Sequence, residues 1–129
     1  MSFINRVKIA NLTTDASGDV TGYADTGHSG GMLSAIRYVV DGTSPYDTGV
    51  DFTITEEDTG QAIITVTNAG TASLSLYPRI ATVSTANAAL LYAAGGAAVS
   101  DLMPIAGRIK VVVAQGGNTK IGNFYFYLA

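Results

Sequence analysis

Cysteine is absent from this chain of 129 residues, and histidine occurs once, as His28. Without cysteine the chain has no disulfides, no thiolate nucleophile and no thiolate metal ligand. One histidine cannot build a zinc site, because such sites use several nitrogen or sulfur ligands. The composition therefore excludes most catalytic and metal-dependent mechanisms, and we expect a protein that is not an enzyme and has no cofactor.

Charge is also scarce. Charged residues make up 13% of the chain and apolar residues 47%, whereas an ordinary globular domain has roughly 25% charged residues. A chain with so few charges is expected to have part of its exterior covered by a partner. The net charge is −3, and the basic residues are scattered along the sequence as Arg6, Lys8, Arg37, Arg79, Arg108, Lys110 and Lys120. No basic stripe is present to bind phosphates, so a nucleic-acid partner is not predicted.

The chain also lacks long apolar runs. No window approaches the ~20 apolar residues of a membrane span, and residues 1–6 do not show the charged and apolar regions of a signal peptide. The sequence therefore predicts no membrane partner and a protein that is cytosolic when it is made.

Short apolar or alternating stretches separated by turns are abundant. Period-2 alternation predicts strands, and turn residues such as Gly, Asn and Asp divide them. The predicted strands are residues 3–12, 20–24, 32–40, 50–55, 61–68, 71–76, 108–114 and 120–128. This pattern predicts an all-β, single-domain antiparallel β-sandwich over residues 1–129, jelly-roll-like and with about eight strands. Residues 50–76 are expected to form a three-stranded meander, and residues 115–118 the turn of a last hairpin.

The apolar faces of these strands predict the core. The residues expected to be buried are Phe52, Ile54, Ile64, Val66, Leu74, Val111 and Val113. Residues 84–107 break the strand pattern, because they are rich in Ala and Gly. Since a structureless segment of that length is unusual in a compact domain, we expect an extended loop or arm that contacts a neighbour, with one helical turn around residues 86–94.

The last strand is aromatic on both of its faces. One face can enter the core, and the other needs cover from the 84–107 excursion or from a second subunit. The sequence therefore predicts a homo-oligomer, either a dimer or a trimer. The candidate interface residues lie in the excursion and in the last strand: Tyr92, Leu102, Met103, Phe124, Tyr125, Phe126 and Tyr127.

Three motifs with a possible chemical role are better explained as turns. Residues 27–31 match the G-x-S-x-G turn of serine hydrolases, but the only histidine is His28, which adjoins Ser29. Asp-Thr-Gly, the aspartic-protease motif, begins at Asp25, Asp47 and Asp58, where the strand pattern breaks. The acidic run at residues 56–58 lacks the alternate spacing of a calcium loop. No catalytic, cofactor-binding or metal-binding residue is therefore assigned.

Several sheet and turn segments carry a family resemblance. These are residues 47–55, the run from Thr59 to Asn68, the Tyr77-Pro78-Arg79 turn, residues 104–113, and the Gly116-Gly117 pair. Together they resemble the small structural proteins, of the head cement or decoration type, that tailed bacteriophages and prophages encode among their head genes. The resemblance covers roughly residues 5 to 128 and contains no diagnostic chemistry.

The resemblance implies a structural virion protein. It would be a capsid cement or decoration protein on the outer capsid surface, present in the host cytoplasm before assembly. Its partners would be the major capsid protein and further copies of itself, and it would stabilise the head. The alternative is a tail or receptor-binding β-module of the virion. No catalytic residue is carried over from the family.

Overall fold

Two antiparallel β-sheets packed face to face form the body of this protein. The computed structural model describes residues 4–26, 31–88, 90–91, 93–96 and 100–129. These residues form eleven strands and no helix. The strands are β1 Asn5–Thr13, β2 Val20–Ala24, β3 Gly31–Val40, β4 Asp51–Glu56, β5 Ala62–Val66, β6 Leu74–Leu76, β7 Ile80–Ala81, β8 Ser100–Asp101, β9 Met103–Ile105, β10 Ile109–Ala114 and β11 Ile121–Leu128.

The order of strands in the two sheets is that of a jelly roll. One sheet has the order β1-β11-β3-β6, with β9 also paired to β3, and the other has the order β2-β10-β4-β5. The chain crosses from one sheet to the other after β1, β2, β3, β5, β9 and β10, so that two Greek keys are wrapped around one core. The prediction of an all-β, antiparallel, jelly-roll-like fold is confirmed.

Alternation along the strands places the core between the sheets. Every second residue of β10 and β11 is buried, and cross-strand partners share a face. Val113 pairs with Phe52 in one sheet, and Phe124 pairs with Tyr38 in the other. Both pairs point inward, so the most regular strands of the sequence line the two sides of the core.

An aromatic cluster lies at the centre of this core. Tyr38, Tyr46, Phe52 and Phe124 are fully buried, with ring centroids 4.7 Å apart for Tyr38 and Phe52 and 5.0 Å for Phe52 and Phe124. The Tyr46 hydroxyl donates a hydrogen bond of 2.6 Å to the Leu12 carbonyl. Burial raises the pKa of the Tyr38 hydroxyl to about 12, so both tyrosines stay neutral and serve as core residues.

The predicted core residues separate into two groups. Phe52, Ile54, Val111 and Val113 are fully buried, as predicted. Ile64, Val66 and Leu74 are only partly buried against the core, because β5 and β6 lie at sheet edges. A register shift in the β4–β5 ladder also lets Ile63, 7% exposed, enter the core.

The predicted meander is wrong in its third strand. The β4–β5 hairpin forms, with Phe52 opposite Val66, but β6 crosses to the other sheet and pairs with β3. Asn68 and Gly70 take positive φ values of 52° and 80° between the two strands. The backbone amide of Ala69 is held by the Val50 carbonyl at 2.8 Å. These contacts turn the chain over the edge of the sandwich instead of into a hairpin.

The predicted last hairpin is also wrong. β10 pairs with β2 and β4, whereas β11 pairs with β1 and β3. Residues 115–120 are therefore a corner between sheets. Gln115, Gly117 and Thr119 all take positive φ, and the Thr14 hydroxyl donates to the Gly117 carbonyl at 2.6 Å, which fixes the corner against the β1–β2 loop.

Part of the chain between β6 and β10 forms short strands, β7, β8 and β9. β8 and β9 occupy part of the predicted segment 84–107, which raises the strand count above the predicted eight. β7 and β8 form a two-stranded ribbon in which Ala81 lies opposite Ser100. The helical turn expected around residues 86–94 is wrong for the part of it that the structure describes, where the chain forms bends and turns.

Candidate interaction surfaces

The predicted interface residues divide between the core and the surface. Phe124, Phe126 and Met103 are buried, at 0%, 0% and 5% exposure, so their side chains are not available to a partner in this fold. Leu102 is half-buried in the segment that joins β8 to β9. Tyr125 and Tyr127 are half-buried on the opposite, outward face of β11. Tyr92 lies outside the described residues.

The outward face of the larger sheet combines tyrosines with cations. Lys8 of β1 and Arg37 of β3 are the two cross-strand neighbours of Tyr125, and Arg6 of β1 is a neighbour of Tyr127. The Arg6 guanidinium carbon lies 5.1 Å from the centre of the Tyr125 ring, a cation–π distance. We call Arg6, Lys8, Arg37, Tyr125 and Tyr127 the basic tyrosine face.

Among the described residues, no carboxylate forms an ion pair with the three cations of the basic tyrosine face. Within the described ranges the one ion pair joins Arg108 to Glu57, at 2.6 Å, and it lies on the other sheet's side of the molecule, next to β10 and the β4–β5 turn. Arg37 instead donates a hydrogen bond of 2.8 Å to the Ser75 hydroxyl. Three positive charges therefore lie together on a protein whose net charge is −3.

Exposed apolar side chains concentrate in a second surface. Among the described residues, seven large apolar side chains are exposed, and five of these lie between residues 77 and 91: Tyr77, Ile80, Val83, Leu90 and Leu91. Ile80 belongs to β7, and the next three lie in the segment that joins β7 to β8. We call residues 80–101 the apolar ribbon. Exposed apolar side chains concentrated in one segment make it a candidate site of protein contact.

The Asp-Thr-Gly motifs that begin at Asp47 and Asp58 lie at opposite ends of β4. Asp47 precedes β4 and Asp58 follows it, so the six-residue strand places them about 20 Å apart, at 3.3 Å per residue. The pKa of the Arg108 guanidinium is raised mainly by its hydrogen bonds to Glu57, and Asp25, which lies near Arg108, also raises it. Ser29 of the hydrolase-like turn lies outside the described residues. Among the residues that the structure describes, no group of three acidic or histidine side chains is placed to hold a metal ion.

Glu56 is the one acidic side chain that is fully buried, at 1% exposure. Its carboxylate accepts hydrogen bonds from the Thr59 hydroxyl and from the Asp58 backbone amide at 2.9 Å. These bonds, the first being the strongest, lower the pKa of Glu56 although burial acts in the opposite direction. Glu56 is thus the cap of the β4–β5 turn, a role that the sequence did not predict, because its pattern at residues 56–58 indicated a turn and not which side chain is buried in it.

This arrangement predicts acid sensitivity. Because the Glu56 pKa is lower in the folded than in the unfolded state, the unfolded chain binds more protons, and stability falls as the pH drops below about 4.5 through the folded pKa. We expect Glu56→Gln to lower the free energy of unfolding at pH 7 by about 1–3 kcal/mol, as for bonds to a charged group. Urea titrations at several pH values measure both effects.

Glu57→Gln is the matched control. Glu57 is the adjacent carboxylate and pairs with Arg108 at the surface, so its replacement should give a smaller loss and should keep the acid dependence that Glu56 causes. Equal losses from the two variants, or an acid midpoint that Glu56→Gln leaves unchanged, would contradict the assignment of Glu56 as the turn cap.

Comparisons with known proteins leave the family open. No protein-family model matches this chain, and no curated protein matches it in sequence. One solved structure, described as "Crystal Structure of FLHE", is similar at 10% identity and a TM-score of 0.47, covering 98% of this chain and 96% of that chain. A likeness at that level carries no argument about function. No helix in the described residues is long and apolar enough to cross a membrane.

Proposed function

We propose that this chain is a structural virion protein of a tailed bacteriophage or prophage, a cement or decoration protein on the outer capsid surface. Its partners are the major capsid protein and further copies of itself. The apolar ribbon is the observation that carries the proposal, because four of its large apolar side chains, those of Ile80, Val83, Leu90 and Leu91, are exposed in the described chain. Association with a partner removes such surface from water.

The fold and the composition support the same proposal. Jelly rolls occur in viral capsid and lectin domains, although a fold alone does not define a function. The low content of charge suits a protein that is largely covered after assembly. A weak contact repeated by many copies on a shell gives a large total stabilisation, because bound copies are held at high effective concentration.

Excision of the apolar ribbon tests this proposal. Ala81 lies directly opposite Ser100, so residues 82–99 can be replaced by Asn-Gly, which closes a two-residue hairpin. We expect the sandwich to stay folded, with a melting temperature close to that of the wild type, because none of the described residues among those excised belongs to the core. Binding to heads that lack the protein should fall at least about tenfold, measured by co-sedimentation, which corresponds to about 1.4 kcal/mol or more.

A variant of full length provides the matched control. Val83→Ser, Leu90→Ser and Leu91→Ser combined keep the length of the ribbon and remove only its apolar surface. This variant should bind heads as poorly as the excision variant. Undiminished binding by both variants would overturn the proposal that the ribbon contacts the capsid, and a protein that maps only to the tail would support the tail or receptor-binding module instead.

A further inference from the structure

We propose that copies of this chain associate through the basic tyrosine face of one copy and the acidic end of the sandwich of the next. This inference rests on the self-association that is part of the proposed function, and it names the two surfaces involved. It does not require the capsid contact to lie at the apolar ribbon.

The acidic end is formed by three loops that meet beyond the same ends of the strands. The loops are residues 14–19, 41–50 and 115–120, and backbone hydrogen bonds join them, from Asp47 to Gly116 at 3.0 Å and from Gly116 to Gly18 at 2.8 Å. With the first residue of β4 included, these loops contain five of the ten carboxylates of the chain against one cation, Lys120: Asp15, Asp19, Asp41, Asp47 and Asp51.

Three of these five carboxylates also accept hydrogen bonds from backbone amides and so stabilise the local conformation of the chain. Asp15 accepts from the backbone amides of residues 17 and 19, Asp41 from those of residues 43 and 44, and Asp51 from that of residue 68. Asp19 and Asp47 are exposed. The end is therefore a fixed surface of negative charge.

Charge complementarity selects a second copy as the occupant of the basic tyrosine face. The face carries three cations without a carboxylate partner among the described residues, and the acidic end carries a net charge of −4 from five carboxylates and Lys120. Opposite potentials of this kind guide association and set its orientation. The two tyrosines add flat amphipathic area, which is typical of the centre of an interface.

A nucleic acid fits the same face less well. Proteins that bind nucleic acids through the backbone make about 6–10 phosphate contacts, and the face supplies three cations on a chain with a net charge of −3. The acidic end would repel a polyanion, whereas it attracts the face of another copy.

The geometry of the contact has a consequence for assembly. A face that binds an end is a heterologous contact, in which each copy uses one surface to bind and offers the other to the next copy. Such contacts generate a closed ring where the rotation closes and an open chain where it does not. Both products differ from the two-fold dimer that edge pairing of identical strands would give.

Charge exchange between the two surfaces tests the inference on the full chain. One variant carries Lys8→Glu and Arg37→Glu, which reverses the face. The other carries Asp19→Lys and Asp47→Lys, which changes the net charge of the end from −4 to 0 and spares the three carboxylates that hold the loops. Each variant loses the attraction between its own face and its own end, so we expect its self-association to weaken at least about tenfold. An equimolar mixture keeps one complementary contact, between the unchanged face of the second variant and the unchanged end of the first, and should form pairs of unlike copies.

Light scattering and sedimentation velocity at low and high salt measure these states, with melting temperature as the check that each variant folds. Near 50 mM salt, the mass of the wild-type protein should exceed the 13.3 kDa of one chain. Near 1 M salt it should fall towards that of the monomer, because the screening length is then about 3 Å and the attraction between the two surfaces is screened. Lys110→Glu is the matched control for Lys8→Glu, since Lys110 lies on β10 of the other sheet, and it should associate like the wild type.

Several outcomes would overturn the inference. A monomeric wild type at 50 mM salt, or single-surface variants that associate like the wild type, would exclude this contact. Association that resists 1 M salt and disappears when residues 82–99 are excised would assign self-association to the apolar ribbon. Binding of single-stranded DNA that is lost with Lys8→Glu and Arg37→Glu would make the face a nucleic-acid site. None of these results alone decides whether the protein occupies a capsid, so failure here is distinct from failure of the proposed function.

Discussion

Phe124→Ala is expected to lower the free energy of unfolding by about 3–5 kcal/mol, the range for removing a buried aromatic side chain. Phe124 is fully buried and its ring meets those of Tyr38 at 5.1 Å and Phe52 at 5.0 Å. Removal of the Phe124 ring leaves a cavity between the two sheets, where aromatic side chains from β3, β4 and β11 contact one another. Urea denaturation followed by circular dichroism measures the change.

Tyr125→Ala is the control at the next position of the same strand. Its ring lies on the outward face, where it packs under Arg6, so we expect a loss of about 1 kcal/mol, close to the value of an exposed cation–π contact. The two adjacent residues should therefore differ several-fold in their effect on stability. Similar losses from both would mean that the assignment of faces along β11 is wrong.

Gly122→Ala is expected to destabilise the fold by about 1–3 kcal/mol through overpacking. Gly122 is the second residue of β11, and a Cβ added there would lie 2.7 Å from Cζ of Tyr46 and 3.0 Å from Cε1 of Tyr38. The Tyr46 ring would have to move, and its movement would strain the hydroxyl bond to Leu12 that joins the 41–50 loop to β1.

Gly42→Ala is the matched control for this substitution. No atom lies within 4 Å of a Cβ built at Gly42, so alanine there should be neutral or should stabilise the fold by up to about 1 kcal/mol through the unfolded chain. The difference in melting temperature between the two alanine variants gives the result. A Gly122→Ala variant that melts with the wild type would show that the Tyr46 ring is not held where the structure places it.

The sequence predicted the inward faces of the strands better than it predicted their partners. Val111 and Val113 could be assigned to the core because strict alternation makes every second residue of β10 share a face. Alternation says nothing about which strand lies beside β10. The pairing of β10 with β4 therefore had to come from the structure, and so did the crossing of β6 to the other sheet.

The two corners between sheets explain most of the wrong predictions. Gly116-Gly117 between two strands is also a common hairpin signal, and local composition does not distinguish it from a corner. The corner is defined by distant contacts, such as that of Thr14 with Gly117. Tyr46 was missed for a similar reason, because it lies in an irregular loop and only the tertiary fold brings its ring beside Tyr38.

The candidate surfaces were partly visible in the sequence. The aromatic alternation of residues 124–127 indicated that one face of the last strand needs cover, although not which face, and the Ala-rich excursion indicated a contact segment. The basic tyrosine face was not visible, because Lys8 and Arg37 are far apart in the chain and the register of β11 between β1 and β3 brings them to either side of Tyr125. The same is true of the acidic end, which three distant loops build.

Cryo-electron microscopy of intact phage particles produced from the genome that carries this sequence tests the central proposal most directly. We predict density for the jelly roll on the outer surface of the head, in repeated copies at the symmetry axes of the shell, with the apolar ribbon against capsid subunits. Density for this protein only in the tail, or heads that lack it throughout, would contradict the proposal.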